Sequence, residues 1–149
     1  PENLLDTAQS SYDQSKELID KWHNKNRALY AITPRFAPTS TPAQLEVAGT
    51  LYKEVDGVYV QSHVAENVDE ISWVGELFQQ STSYLDVYNQ FGLLGPRTLY
   101  GHGIYFSDAD IEMVKNTDAS IIHCPTSNFF WAVVYLHIKN SKKLAFGLR

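Results

Sequence analysis

The feature that most constrains this chain is a recurring order of segments: a short apolar run, polar or ionisable residues at its end, then a stretch of helical pattern. Apolar runs lie at 28–36, stopped by Pro34, and at 58–63, 98–102 and 119–123, and a further run begins at 143–147. Between them, Thr41 and Pro42 supply an N-cap and a first helical residue for a helix to about residue 55. Residues 68–78 and 84–91 carry helical patterns, and Ser107 with Asp110 caps a helix to about residue 116. A leading amphipathic helix is expected over 4–25, with Leu5, Ala8, Tyr12, Leu18, Ile19 and Trp22 three to four apart. Strands alternating with helices imply parallel pairing, right-handed crossovers and cover on both faces of the sheet. The fold class is α/β. A doubly wound sheet and an eight-stranded barrel both fit the pattern, although five strands do not close such a barrel.

The residues after each run are the second regularity. Arg35 and Phe36 follow the first, His63 and Glu66 the second, His102 the third, and His123, Ser127 and Asn128 the fourth. These are C-terminal strand ends, where both barrels and open α/β sheets build their sites. In His63-Val-Ala-Glu66 a neutral imidazole could ligate zinc while a carboxylate moves protons; a strand-end histidine with Glu66 capping the next helix fits equally well. In Gly101-His102-Gly103 the glycines permit close backbone approach or unusual dihedrals at a crowded histidine, or simply a turn. Arg35 offers a fork of donors for a carbonyl and Phe36 a face for a planar ring, against the plainer reading of a surface arginine beside a core phenylalanine. Cys124 reads as packing, and His23 and His137 as surface or packing residues. Together these positions describe a polar cleft for a flat ring, with a possible metal.

Composition removes several functional classes. A formal charge of -5 with no Lys/Arg stripe argues against nucleic acid as a partner. No apolar run reaches the roughly 20 residues of a membrane-spanning helix, and no membrane partner is expected. The single cysteine rules out an intrachain disulfide, points to a reducing, cytoplasmic setting, and cannot supply the Pro-Cys-x-x-Cys ligand pair of the cytidine deaminases.

Taken in order, Thr33-Pro-Arg-Phe-Ala-Pro38 with Ser40-Thr-Pro42, His63-Val-Ala-Glu-Asn-Val-Asp-Glu70, Gly101-His-Gly103 and His123-Cys-Pro-Thr-Ser-Asn128 resemble the guanine deaminases of the amidohydrolase superfamily. The resemblance covers residues 1–130 and implies a partial (β/α)8 TIM-type barrel, roughly strands four to eight. It implies that His63 is a zinc ligand, that His102 acts catalytically beside the activated water, and that Glu66 carries the proton to the purine. Arg35 and Phe36 would hold guanine, and the complete enzyme would be a cytoplasmic homodimer of guanine catabolism. The implied reaction is zinc-dependent hydrolysis of guanine to xanthine and ammonia. Another amidohydrolase acting on a triazine or adenine-type ring, and a non-catalytic purine-binding α/β protein, are the alternatives.

The chain also departs from the family pattern. It holds no His-x-His pair and no closing Gly-Thr-Asp, so one zinc ligand of four is present and an inactive fragment is expected. After Asn128 the family continues with Leu-Gly-Ser-Gly-Leu-Phe, whereas Trp131-Ala-Val-Val-Tyr-Leu136 stands here. A one-base shift of reading frame over 131–137 converts the first into the second, and the encoding DNA tests it. The whole chain is thus read as a single incomplete barrel segment, altered at 131–137, with exposed edges that favour self-association.

Overall fold

Helix and strand boundaries follow capping residues written into the sequence. The structure, a computed structural model, describes residues 5–132, with side chains through residue 128. Thr7, Thr41 and Ser107 each accept from the backbone N–H three residues on, and each is answered by a side chain at that residue, opening α1 (Ala8–Trp22), α2 (Pro42–Glu54) and α5 (Asp108–Thr117). Asn67 and Ser83 cap α3 (Val68–Leu77) and α4 (Tyr84–Gln90) through their side chains. A further helix, α6 (Pro125–Ala132), opens on Pro125, in a segment to which the sequence analysis assigns no element.

Four strands lie between these helices: β1 (Ala31–Ile32), β2 (Tyr59–Val64), β3 (Thr98–His102) and β4 (Ser120–Ile122). All pairs are parallel and the spatial order is β1-β2-β3-β4. This order resolves the choice the sequence left open. A doubly wound sheet reverses direction at a switch point, whereas a barrel adds each strand beside the last. The sheet is a part of a barrel wall.

Alternation along β2 separates its two faces. Val60, Ser62 and Val64 are buried while Gln61 and His63 are exposed. The register pairs Val60 with Thr98 and Ser62 with Tyr100, so these buried residues share the helix-covered face. On that side the core gathers Leu45 and Leu51 of α2, Leu85 and Tyr88 of α4, Leu93 and Tyr100. Each fully buried apolar side chain contributes about 1.5–3 kcal/mol of burial free energy. The expectation of cover on both faces is corrected: Gln61 is exposed and Ile122, on the same face, is 41% exposed. In a closed barrel that face turns inward, which is why the strands alternate rather than being apolar throughout.

The first helix is also corrected. It starts at Ala8, not near residue 4, and packs against α2, burying Ile19 while Leu5, Leu18 and Trp22 are 81%, 43% and 52% exposed. The spacing was helical, but the apolar residues do not all share the packed face. The first apolar run yields a strand of only two residues before the chain turns away at Thr33 and Pro34. The altered segment from residue 133 and the run at 143–147 lie outside the described residues. No helix among the described residues is long and apolar enough to cross a membrane.

Burial makes the stability cost of truncation predictable. Leu45→Ala, in a fully buried site, lowers unfolding free energy by about 2–5 kcal/mol. Leu18→Ala on the exposed side of α1 changes it by about 0.5 kcal/mol or less. Urea denaturation of both variants measures the difference, and equal losses would contradict the packing described.

Candidate active site

Two left-handed turns at adjacent strand ends set the geometry of the site. Val64 at the end of β2 pairs with His102 at the end of β3. Ala65 and His102 have φ of +50° and +78°, values that side-chain-bearing residues rarely adopt, and Gly103 follows at +59°. The turns are tied together, because Gly103 N–H donates to the Val64 carbonyl at 2.8 Å and Ile104 N–H to Ala65 at 3.1 Å. Strained backbone of this kind costs on the order of 1–3 kcal/mol per residue and persists where its surroundings enforce it. Of the two glycines flanking His102, Gly103 is the constrained one. A Cβ there would lie 3.0 Å from both Ile121 and Phe106, while one at Gly101 would meet ordinary contacts.

The turn at His102 has a chemical consequence. Regular alternation would send its side chain to the helix-covered face with Val64. Instead its ring stacks on that of His63, with centroids 5.5 Å apart and planes 22° from parallel. His102 is 4% exposed and Nδ1 lies 2.8 Å from Asn128 Oδ1. Since Oδ1 only accepts, Nδ1 carries the proton, and Nε2 faces Glu66 Oε2 at 3.5 Å. With no proton between them, an imidazole lone pair and a carboxylate repel; with one, they form a pair that can exchange it. Asn128 Nδ2 is buried without a hydrogen-bond partner among the described residues.

His63 is oriented by backbone. Its Nδ1 lies 2.6 Å from the Arg35 carbonyl, which leaves Nε2 as the nitrogen with a free lone pair. The same carbonyl accepts from the His63 N–H at 3.3 Å and Ser62 Oγ at 3.2 Å. Arg35 and Phe36 therefore reach the site from β1's end, with the guanidinium 5.3 Å above the Phe36 ring. Trp73 of α3 meets Phe36 edge-on at 6.4 Å. The structure thus brings the five sequence candidates together at the C-terminal edge of the sheet: Arg35, Phe36, His63, Glu66 and His102.

The other candidates separate. Ser127 Oγ donates to Cys124 O in the first turn of α6, and Cys124 Sγ reaches back to Ile122 O at the end of β4, so both make local contacts. His23 is a packing residue between the Tyr30 N–H and the Asp56 carbonyl. His137 lies outside the described residues. Asn128 was quoted in its motif without a role, and Trp73 and Glu70 were not singled out. Pro125 as a helix-starting proline was the signal that would have brought Asn128 towards His102.

A profile of the amidohydrolase family matches residues 4–142. The chain belongs to the amidohydrolase family. It is similar to the guanine deaminase of Escherichia coli (strain K12), 45% identical over 150 residues, covering 99% of this chain and 34% of that protein. It is 37% identical to the guanine deaminase of Dictyostelium discoideum over 87% of this chain and 29% of that one. Among solved structures, E. coli guanine deaminase superposes with a TM-score of 0.89 at 46% identity, over 91% of this chain and 32% of that chain. Guanine deaminase from C. acetobutylicum, solved with guanine in its active site, gives 0.78 at 36% identity, over 87% and 31%. The chain spans about a third of the length of the curated relatives it matches.

Glu70 adds a buried acid next to this cleft. Burial pushes its carboxyl above the usual range; the neighbouring Tyr84 hydroxyl, short of a formed hydrogen bond, pulls the other way, and the charge of Glu66 adds to the rise. A carboxyl raised above its unfolded value of 4.5 favours folding most below that pH, and the contribution is lost as pH rises through the raised value. Glu70→Gln therefore gains thermal stability over the parent progressively from pH 4.5 towards neutrality. Melting curves across that range check this, and a pH-independent difference would refute it.

Proposed function

We propose that the enzyme containing this chain hydrolyses guanine to xanthine and ammonia, with Arg35 and Phe36 holding the purine and Glu66 and His102 moving protons. The observation that carries the reading is Glu66 Oε2 set 3.5 Å from His102 Nε2, together with an Arg35 guanidinium held over the Phe36 ring at the neighbouring strand end. Similarity to guanine deaminases over nearly the whole chain supports guanine rather than a triazine or adenine-type ring. A non-catalytic purine binder would have no use for the exchange pair.

Guanine plus water gives xanthine plus ammonia: oxygen adds to the ring carbon bearing the exocyclic amine, and the carbon–nitrogen bond breaks. Phe36 presents a face for the purine, and the Arg35 guanidinium can donate to the purine carbonyl. Glu66 takes a proton from the attacking water and delivers it to the ring nitrogen. His102, held by Asn128, supports that transfer from the buried side. A zinc ion, when bound, supplies Lewis-acid activation of water. Among the described residues no three ligands gather for a metal, so this set does not fit a complete zinc shell. His63 Nε2 is the nitrogen free to contribute to one. In this reading the chain is a single barrel segment of a cytoplasmic homodimer that takes part in guanine breakdown. The lone cysteine supports the reducing compartment.

The test uses the full enzyme carrying this segment, following xanthine and ammonia release from guanine. Glu66→Gln lowers kcat by about 10²–10⁴-fold with protein fold intact. Arg35→Lys chiefly raises KM, because an ammonium loses the planar fork. Turnover of an aminated triazine but not of guanine would overturn the assignment.

A further inference from the structure

We propose, building on the guanine-deaminase reading, that Tyr88 is a positioning residue whose hydroxyl locks the purine-holding loop to the histidine strand end. Tyr88 belongs to α4, is fully buried, and touches none of the proposed reacting groups with its ring. Its Oη nevertheless meets three residues on two segments beside the site, Ala37 in the loop and Ser62 and His63 on β2. It accepts from Ala37 N–H at 3.0 Å, donates to the His63 carbonyl at 2.8 Å, and lies 2.9 Å from Ser62 Oγ.

This hydroxyl compensates for a strand that ends early. The β1–β2 ladder stops at Ile32, and beyond it a single backbone bond, His63 N–H to the Arg35 carbonyl at 3.3 Å, ties the segment to β2. Side chains reinforce it: Ser62 Oγ reaches the Arg35 carbonyl, and Tyr88 Oη secures the N–H of the buried Ala37. The Arg35 carbonyl fixes the ring of His63, so whatever holds 35–37 also sets which nitrogen of His63 is free. Burial pushes the Tyr88 phenol up to about 12, keeping it a proton donor at neutral pH. Tyr84 and Tyr100 stack against the ring at 5.8 and 4.7 Å and hold it in place.

Tyr88→Phe keeps the ring and removes the hydroxyl. In the full enzyme we expect kcat/KM for guanine to fall by roughly 10- to 100-fold, with KM rising as well as kcat falling. Ser62→Ala gives a smaller loss in the same direction, and the double variant is little worse than Tyr88→Phe alone, because the two hydroxyls share one network. A hydroxyl that merely stabilised the fold would lower Tm and leave KM and kcat of the folded enzyme unchanged, which overturns the proposal. A second measurement needs no turnover: Ala37 amide exchange and the nitrogen chemical shifts of the His63 ring. Tyr88→Phe is expected to speed the first and mix the His63 tautomers. If guanine is not a substrate, the functional reading fails, yet unchanged Ala37 protection and an unchanged His63 tautomer would separately refute the positioning role. Should Tyr88→Phe not fold, Ser62→Ala decides by the same two signals.

Discussion

The carbonyl of Arg35 accepts from the N–H and Nδ1 of His63 and from Ser62 Oγ, so one oxygen joins the ends of two strands. The ladder of the first strand ends after two residues, and beyond it one backbone bond is reinforced by two side-chain donors. Three donors meet at one oxygen; Ser62 among them is buried, whereas Arg35 and His63 are exposed. The side chain of Arg35 is thereby released to face a ring while its backbone orients an imidazole. The proposed purine-holding arm and the histidine share a single residue.

Across the sheet, left-handed turns at Ala65 and His102 do a related task. They occur at neighbouring strand ends and are cross-linked through the carbonyls of Val64 and Ala65. The second turn brings the ring of His102 over that of His63, where Asn128 and Glu66 occupy its two nitrogens. The helix-covered face carries the stability, through the packing of α2 and α4 on β2 and β3, while the strand tips carry the strain. That division places conformational cost where a reacting geometry requires it.

Much of this was legible in residues alone. Caps at Thr41 and Ser107, helical patterns at 68–78 and 84–91 and the apolar runs between them are local signals, and they located α2 to α5 and the strands well. The candidates Arg35, Phe36, His63, Glu66 and His102 followed from their place after each run. What escaped depends on tertiary contact. That Ile19 packs while Leu18 and Trp22 stay exposed is decided by where α2 lies, and helical spacing does not encode it. The loop that follows the short β1 is held to Tyr88, 51 residues beyond Ala37, a contact that local spacing does not encode. Asn128 became visible through α6, whose first residue is a proline that also reads as a strand breaker. The strand order, by contrast, needed coordinates to separate a barrel wall from an open sheet.

The central claim is that these strand tips form one purine site, and its most direct test is a structure of the full enzyme soaked with guanine. The account predicts the base lying on the Phe36 face, its carbonyl at the Arg35 guanidinium and its amine-bearing carbon on the Glu66–His102 side. A competing location exists at the other end of the molecule, a cavity of about 670 Å³ lined by Tyr52, Lys53, Gln90 and Arg97. Guanine seated there, with the cleft at His63 and His102 empty, would contradict the account.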